Sequence, residues 1–431
     1  MRNNYRRAVW ICAAAAVLTV KGVPSVRADE ADYKALYEAQ QKQIEDLKKR
    51  VATLESSTGT VAAATSTGTV GIAKSDITQK SLEFLGQTEI SGFLEASYLY
   101  NVNRGGGTQY PVVGRTFDTH ANQFVFDDFK LALEKPISAN PTNWAIGYRA
   151  DLIFGEDATA LNAANPGLSL GTAGALEQAF IDVNVPVGNG LKVIIGKTVT
   201  LMGVEVIEQV SNPNFSEGNQ FLYVENFTQT GVQLAYQWND KIDTEFVVFN
   251  GWDQAPDNNN ALSYMARIGY APDSNTTLAV LGYGGPEQTG ITANWRDGID
   301  LVATRKITDK FSADFQADWG TEQNVTVGTA TFGNPDWFAL GGWLIYDFTD
   351  KIELAFRQDF LRDKDGTRTL FAGLPVGTTP EIYSSTVTLN LKPIDNFQFR
   401  PEFRWDHSDK PDTYNGTRDQ FTLGVGVAYL Y

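Results

Sequence analysis

The chain has 431 residues, a formal net charge of −16, 12% aromatic residues and one cysteine. The acidic balance argues against nucleic acid as a partner, because phosphate backbones attract basic surfaces. The single cysteine, Cys12, excludes a disulfide framework and a cysteine metal site. Beyond residue 28 there is no apolar run of about 18 residues, so a helical membrane protein is excluded as well.

Residues 1–28 are predicted to be a secretory signal peptide. Arg2, Arg6 and Arg7 precede an apolar run over residues 8–20, and a small-residue cleavage site ends at Ala28. Removal of this segment takes away five basic residues and no acidic residue. The mature chain is therefore expected to be more acidic than the whole sequence.

Residues 29–56 show a heptad pattern that predicts an α-helical coiled coil in the periplasm. The a and d positions hold Tyr33, Tyr37, Gln40, Ile44, Leu47, Val51 and Leu54. One helix cannot bury such a seam, so the pattern predicts self-association, with a single amphipathic helix docked on the rest of the protein as the alternative. Residues 57–83, rich in Ser, Thr, Gly and Ala, are predicted to be a flexible linker.

Residues 84–431 are predicted to form a series of β-strands joined by turns and loops. Sixteen segments alternate in side-chain polarity, near 88–101, 122–135, 143–154, 175–185, 191–199, 229–238, 241–250, 260–271, 275–284, 295–306, 310–320, 337–348, 350–361, 381–392, 396–406 and 419–431. Short turns alternate strictly with long loops between these segments. The last segment ends the chain on an aromatic residue and has one apolar face and one small, mostly polar face.

An even number of strands with short turns at one end and long loops at the other predicts an all-β fold. We expect a sixteen-stranded antiparallel transmembrane β-barrel with both termini in the periplasm. Barrel closure pairs every strand edge, which lipid requires. Tryptophans at the strand ends should form two girdles at the membrane interfaces, with Trp144 and Trp238 on the periplasmic side and the outer set comprising Trp252, Trp295, Trp319 and Trp405.

Four short motifs of the first three strands are similar to those of a known family. They are ISGFLEASY at residues 90–98, DDFKL at 127–131, GYRAD at 147–151 and GED at 155–157. Through them residues 84–431 resemble the OmpL-like outer-membrane porins. The resemblance implies a porin fold in the bacterial outer membrane but no particular substrate, and it does not include the coiled-coil segment.

Catalytic and metal-binding patterns are not found in the sequence. His120 and His407 both fall in predicted outer loops without a neighbouring Cys or second His, so surface roles are expected for them. No Ser or Asp cluster pairs with either histidine as a nucleophile with its base would. We therefore expect neither an enzyme nor a metal site, and no cofactor.

Charged residues within the strands indicate what lies inside the barrel. A charge that faces lipid at mid-bilayer costs about 2–4 kcal/mol, so strand charges opposite the apolar face should line an aqueous lumen, unless a loop plugs it. The predicted lumen-facing residues are Arg149, Asp151, Asp243, Glu245, Arg267, Asp314, Asp318, Glu353, Asp359, Glu402 and Asp406.

Two tryptophans of one strand leave an ambiguity. By simple alternation Trp337 and Trp343 face the lumen, where they could stack on sugars. A β-bulge at Gly341 and Gly342 would instead turn Trp343 towards lipid. The sequence does not decide between these two orientations.

The longest predicted loop, residues 200–228, is expected to fold into the barrel and narrow the pore. It carries Glu205, Glu208, Glu217 and Glu225 and no basic residue. A basic wall opposite this loop is predicted from Arg357, Lys392, Arg400 and Arg404, so that a transverse field would act at the constriction. The alternative is a loop folded outward as a solvated acidic lid.

These features together predict a porin of the bacterial outer membrane. Its partners should be outer-membrane lipid and small hydrophilic solutes or ions that diffuse through a water-filled barrel, and a homotrimer is expected. Two alternatives stay open at this point. One is a substrate-selective channel, for example for sugars, and the other is an envelope-tethering structural protein whose coiled coil is the functional part.

Overall fold

A computed structural model describes residues 83–431, except residues 85, 104–110, 138–141 and 165–168. The predicted signal peptide, the coiled coil and nearly all of the predicted linker lie outside the described residues. No helix among the described residues is long and apolar enough to span a membrane.

The described chain is built from antiparallel strands with two short helices. The strands are β1 (Glu89–Asn101), β2 (Gln123–Lys135), β3 (Ala145–Phe154), β4 (Gly174–Val185), β5 (Leu191–Val199), β6 (Thr228–Asn239), β7 (Ile242–Phe249), β8 (Ser263–Asp273), β9 (Thr276–Pro286), β10 (Trp295–Thr308), β11 (Phe311–Glu322), β12 (Val325–Val327), β13 (Ala330–Phe332), β14 (Asp336–Thr349), β15 (Ile352–Asp363), β16 (Glu381–Leu391), β17 (Phe397–Ser408) and β18 (Asp419–Leu430). The helices are α1 (Glu156–Ala164) and α2 (Asn219–Val224).

Sixteen of these strands form one closed barrel in which each pairs with its neighbours along the chain. The first and last strands close the ring, with Leu94 opposite Tyr429 and Tyr98 opposite Val425. The predicted sixteen-stranded antiparallel barrel is thus confirmed. The two remaining strands, β12 and β13, form a separate hairpin in the loop between β11 and β14. The sequence did not predict this hairpin or the two helices, because each is too short to show a periodic pattern of apolar residues.

Side chains alternate between an apolar outer face and a buried or polar inner face. The outer face presents large apolar side chains such as Phe246, Phe315 and Leu344, which are 42%, 47% and 47% exposed. In β18 the residues Thr422 and Gly424 point inward and are buried, whereas Phe421 and Leu423 point outward. Because successive strand residues point to opposite faces, this alternation supplies an apolar belt for lipid.

The aromatic girdles are largely as expected. Trp144 and Trp238 are exposed near the short-turn end of the barrel, while Trp295 and Trp319 are exposed near the long-loop end. The prediction was wrong for Trp252, which is only 6% exposed and packs in an inner cluster with Met265 and Tyr283. This tryptophan lies just beyond the end of β7, where strand alternation no longer fixes the direction of a side chain.

Candidate channel constriction

The longest connection of the barrel, residues 200–227 between β5 and β6, folds into the lumen. We call this segment the inner loop; it contains α2 and a short 3-10 helix at Gln209–Ser211. Phe215 and Glu217, near its middle, are fully buried. Gly218, Glu205 and Arg357 come together at one point of contact with the wall, where Gly218 N donates to Glu205 Oε2 at 2.6 Å.

Arg357, on the inner face of β15, is the centre of this contact. Its Nη1 donates to Glu205 Oε1 at 2.6 Å and to the Ser216 carbonyl at 2.5 Å. The remaining nitrogens bind wall groups, with Nε donating to Asp359 Oδ2 at 3.1 Å and Nη2 to Thr386 Oγ1 at 3.0 Å. The guanidinium is fully buried, so these partners compensate the cost of removing its charge from water.

Two further arginines of β17 hold the backbone of the inner loop. Arg400 donates through Nη2 to the Asn212 carbonyl at 2.6 Å and through Nη1 to the Gln209 carbonyl. Arg404 Nη1 donates to the Glu217 carbonyl at 2.6 Å, while its Nε binds Asp406 Oδ1 at 2.8 Å. Carbonyl groups of an irregular segment need donors when they are buried, and these arginines supply them.

Glu402, between those arginines, accepts from the same stretch of loop. Its Oε2 accepts from the Phe215 N–H at 2.8 Å and from Thr388 Oγ1 at 2.7 Å, and its Oε1 accepts from Ser216 Oγ at 2.5 Å. The wall therefore offers both signs of charge to the inner loop, donors for its carbonyls and an acceptor for its N–H groups.

Apolar packing fixes the two ends of the inner loop. Near its start Met202 packs in a buried cluster contributed mainly by β7, β8 and β9, with Val247, Phe249, Met265 and Leu281. Near its end Phe221 and Phe227 pack in a second cluster with Phe117, Ile153 and Leu161. Because these clusters lie on different parts of the wall from Arg357, the inner loop crosses the lumen rather than lining one side of it.

This geometry corrects the expected basic wall. Arg357, Arg400 and Arg404 contact the inner loop directly, instead of facing it across a water-filled gap. Lys392 does not belong to the wall, because β16 ends at Leu391 and Lys392 is exposed in the following turn. Strand alternation predicted the inward direction of the arginines, but the path of the loop depends on tertiary contacts that no local pattern encodes.

The four acids of the inner loop have different surroundings. Glu205 binds Arg357, and Glu208 forms an ion pair with Lys130 of β2. Glu225 accepts from Gln316 Nε2 at 2.6 Å. Burial raises the pKa of Glu217 well above its usual value, with Asp118 and Glu205 adding to the shift. Burial likewise raises the pKa of Glu225, next to Asp318 and Asp300.

The charged residues predicted to face the lumen do face inward, but only some of them meet water. Those near the short-turn end are half-buried: Arg149, Asp243, Glu245, Arg267, Asp314 and Glu353. We call this group the short-turn vestibule. The others are buried against protein: Asp151, Asp318, Asp359, Glu402 and Asp406. The expectation that all of them line water was wrong for this second set. Strand alternation predicts which face of the sheet a side chain lies on, but it does not predict whether other segments of the protein cover that face.

Trp337 and Trp343 both point inward. Strand pairing runs without a register shift through Gly341 and Gly342, so no bulge interrupts β14 there. Trp343 is 1% exposed and its Nε1 lies 3.4 Å from Glu205 Oε1. Trp337 is fully buried below the Arg368 guanidinium, which lies 5.2 Å from its ring centre. Sugar stacking stays a prediction, and it would require the inner loop to expose these rings.

Lys130 is a residue of the site that sequence reasoning missed. Its Nζ lies 3.0 Å from Asp151 Oδ2 and 2.7 Å from Glu177 Oε2, and it also contacts Glu208. Oxygen atoms of these three acids lie within 4.8 Å of one another, close enough to hold a metal ion. The Lys130 ammonium supplies the positive charge there instead. The position of Lys130 among the inward-facing residues of β2 is the sequence feature that could have identified it.

The histidines are placed as expected for surface groups. His120 Nδ1 lies 3.2 Å from Glu156 Oε1, and His407 Nδ1 lies 2.8 Å from Asp419 Oδ1, with both imidazoles partly exposed. Each therefore pairs with a carboxylate of an outer loop or strand end.

The closed barrel, its apolar belt and its charged interior define the class of protein, an outer-membrane porin, which is a passive diffusion channel. Residues 87–431 match the family described as "Putative beta-barrel porin-2, OmpL-like", and the chain belongs to this family. The resemblance found in the strand motifs is confirmed. No curated protein matches the chain.

Solved structures of similar fold are also outer-membrane proteins. The channel DcaP of Acinetobacter baumannii is 10% identical, with a TM-score of 0.54 over 80% of this chain and 97% of that one. An anion-selective porin from Comamonas acidovorans is 8% identical, with a TM-score of 0.54 over 80% and 99%. The trimer form of OmpT of Vibrio cholerae is 9% identical, with a TM-score of 0.52 over 80% and 99%. At such identities the likeness concerns the fold.

Proposed function

We propose that this porin is a narrow diffusion channel for small hydrophilic solutes and ions, in which the inner loop sets the size of the passage. The observation that carries the proposal is the ion pair between Glu205 and Arg357, which holds the loop against the wall inside the lumen. A loop that crosses the lumen leaves less free cross-section than sixteen strands alone enclose. We therefore expect a lower single-channel conductance than that of a sixteen-stranded barrel whose lumen is not crossed by a loop.

The proposed ion preference is for cations. In the short-turn vestibule the acids Asp243, Glu245, Asp314 and Glu353 outnumber the arginines Arg149 and Arg267. A cleft lined by one sign of charge within low-dielectric walls raises the local concentration of counter-ions. The arginines of the wall do not oppose this effect strongly, since Arg357, Arg400 and Arg404 are buried and compensated by the inner loop.

Planar-bilayer recordings test both parts of the proposal. Under a potassium chloride gradient at low ionic strength, we expect a reversal potential on the cation side. The preference should decline near 1 M salt, where the Debye length falls to about 3 Å. A reversal potential on the anion side at low salt would contradict the proposed cation preference. A large conductance together with passage of large solutes would contradict the proposed narrow passage.

A homotrimer with a periplasmic coiled coil is proposed as the assembly. The heptads of residues 29–56 and the trimer form of an outer-membrane protein of similar fold support it. Deletion of residues 29–56 should weaken the trimer in mild detergent without removing the barrel from the membrane. Sedimentation of the intact protein as a monomer would contradict both the trimer and the coiled coil.

A sugar-selective channel is less well supported. Stacking on sugars needs an exposed aromatic face, and Trp337 and Trp343 are both covered. The tethering alternative depends on residues outside those that the structure describes, and measurable conductance would show that the barrel is more than an anchor.

A further inference from the structure

Two polar side chains face outward in the middle of the apolar belt. Gln358 of β15 and Ser385 of β16 lie directly opposite each other, and the residues before and after each of them are buried and inward-facing. Ser385 Oγ donates to Gln358 Oε1 at 2.5 Å. Other outward polar side chains, such as Thr244 of β7 and Arg305 of β10, lie close to strand ends. Among the strands that the structure describes, no other polar side chain faces outward so far from both ends of its strand.

The Gln358 amide keeps unused hydrogen-bonding capacity. Its Nε2 carries two N–H groups, and the nearest acceptor for them is the Asp359 carbonyl oxygen, at a long 3.4 Å. No other described residue accepts from this nitrogen. Lipid tails offer neither donors nor acceptors, so a polar group left unpaired at this depth is costly. A second protein surface with polar groups at the same depth would satisfy it.

A glycine without a role inside the barrel lies beside this pair. Gly342 of β14 is directly opposite Gln358 and also faces outward. A Cβ at this position would meet a single atom, the Asp314 carbonyl oxygen at 3.9 Å, so the packing of the barrel leaves room for a side chain. By contrast, a Cβ at the inward-facing Gly341 would lie 1.9 Å from Gln220 Oε1. Glycine weakens the interior of a strand, and it often marks the close approach of another backbone.

Charged side chains continue this surface at the long-loop end of the same strands. Arg362 of β15 and Asp336 of β14 face outward, with Nη1 3.4 Å from Oδ2, and Lys364 Nζ lies 3.5 Å from the other oxygen of Asp336. Glu381 of β16, opposite Arg362, adds a second acid. These long contacts between equal numbers of acids and bases can re-pair across an interface between identical chains.

We propose that Gly342, Gln358 and Ser385, here called the belt patch, are where a second copy of this chain packs against the barrel wall. This interface rests on the homotrimer proposed above, and it assigns the contact between barrels to β14, β15 and β16. In membrane proteins, small residues at an interface permit close approach and polar side chains hydrogen-bond across it. The belt patch supplies both.

The chain itself favours a second copy over another occupant. The heptads of residues 29–56 predict self-association, and the chain enters the barrel at β1, three strands from β16 in the ring. Helices that associate ahead of β1 would hold this side of neighbouring barrels together. The wall around β7, seven strands from β16, would then face lipid.

Photo-crosslinking of the full chain in outer membranes tests the interface. The photoreactive amino acid p-benzoylphenylalanine replaces Phe360, which faces outward two residues from Gln358, or Phe246, an outward phenylalanine of β7 that serves as the matched control. Illumination should give products with the mass of two or three chains at position 360 and several-fold less at position 246. Because both changes replace one aromatic ring by a larger one, they disturb the barrel similarly.

A second pair of variants blocks the interface instead of capturing it. Gly342→Trp fills the space that a second copy would occupy, so the trimer fraction in mild detergent should fall by sedimentation. Gly282→Trp is the control, because a Cβ at this outward glycine of β9 would also meet a single atom, the Gly298 carbonyl oxygen at 4.0 Å. Its trimer fraction should match that of the wild type.

Each contrary result has a separate meaning. A sedimenting trimer without a product at position 360, or with equal products at both positions, would leave the homotrimer intact and overturn the belt patch as its interface. A product with the mass of one chain plus a different protein would assign the patch to another partner. An intact protein that sediments as a monomer and gives no product at either position would overturn the homotrimer and this interface together.

Discussion

Arg357 Nη1 lies 2.6 Å from Glu205 Oε1, and both side chains are buried in the middle of the barrel. The pair joins the start of the inner loop to β15, and Gly218 N–H binds the other oxygen of the same carboxylate. One carboxylate therefore connects two parts of the loop to the wall. Its removal should affect the position of the loop more than the stability of the barrel.

Replacement of Glu205 by Gln tests this contact. The change removes a charge-assisted hydrogen bond, which is worth about 1.5–3 kcal/mol, and leaves Arg357 partly uncompensated. We expect a larger single-channel conductance and a shift towards anions, and the shift should be greater in Glu205→Gln/Glu208→Gln. Glu353→Gln, a change of the same kind in the short-turn vestibule, should leave the unit conductance nearly unchanged. Equal conductance in Glu205→Gln and wild type would remove this pair from control of the passage.

The vestibule charges should set the ion preference. Arg267 Nη1 lies 2.6 Å from Asp243 Oδ1 and 3.1 Å from Glu245 Oε1. Neutralisation in Asp243→Asn/Glu245→Gln leaves this arginine uncompensated, so the reversal potential at low salt should move towards anions. Asp309→Asn/Asp350→Asn, which neutralises exposed acids in short turns at the same end, serves as the control. A shift of the same size in the control would locate the selectivity outside the lumen.

Lys130 should be needed to keep the inner loop in place. Lys130→Met leaves Asp151, Glu177 and Glu208 close together without their cation, and removal of one partner of a buried ion pair costs about 3–5 kcal/mol. We expect a lower unfolding temperature and noisier, larger currents, with partial recovery in Lys130→Arg. A variant that matches wild type in both measurements would show that the acids are neutral without Lys130.

Acidic pH should favour the docked inner loop. Burial raises the pKa of Glu217 and of Glu225 in the docked loop above their values in a solvated loop. Docking is therefore strongest below the pKa of a solvated glutamate, near 4.5. It weakens as the pH rises through the raised pKa values of the two docked glutamates. Conductance should increase from pH 4 to pH 8, and Glu217→Gln/Glu225→Gln should flatten the profile. A profile that falls with pH would reverse the assignment.

The sequence predicted the barrel well because membrane strands obey a local rule. The alternation of Phe421, Thr422, Leu423 and Gly424 contains the direction of each side chain, and β18 follows it. The contacts inside the lumen are not determined by local sequence. Glu205 and Arg357 are far apart in the chain, and no period relates them. Trp252 and Lys392 were misplaced for a related reason, since both lie just beyond a strand end, where alternation stops.

The acids at the β1–β2 bulge show a second limit of sequence reasoning. Simple alternation allows only one of Asp127 and Asp128 to face inward, and the bulge turns both inward. Glu95 has the right parity in β1, but only the closed sheet shows that it lies opposite Asp128. The motifs that carried the family resemblance thus meet at one place in the fold, which their spacing in sequence did not indicate.

Single-channel conductance of a loop-shortened variant tests most directly whether the inner loop limits the passage. In this variant a short Gly-Ser segment replaces residues 204–218, and the control lacks the outer hairpin of β12 and β13. We predict a several-fold larger conductance for the shortened loop and an unchanged conductance for the control. A shortened-loop barrel that inserts into the bilayer and conducts like wild type would show that the inner loop does not limit the passage.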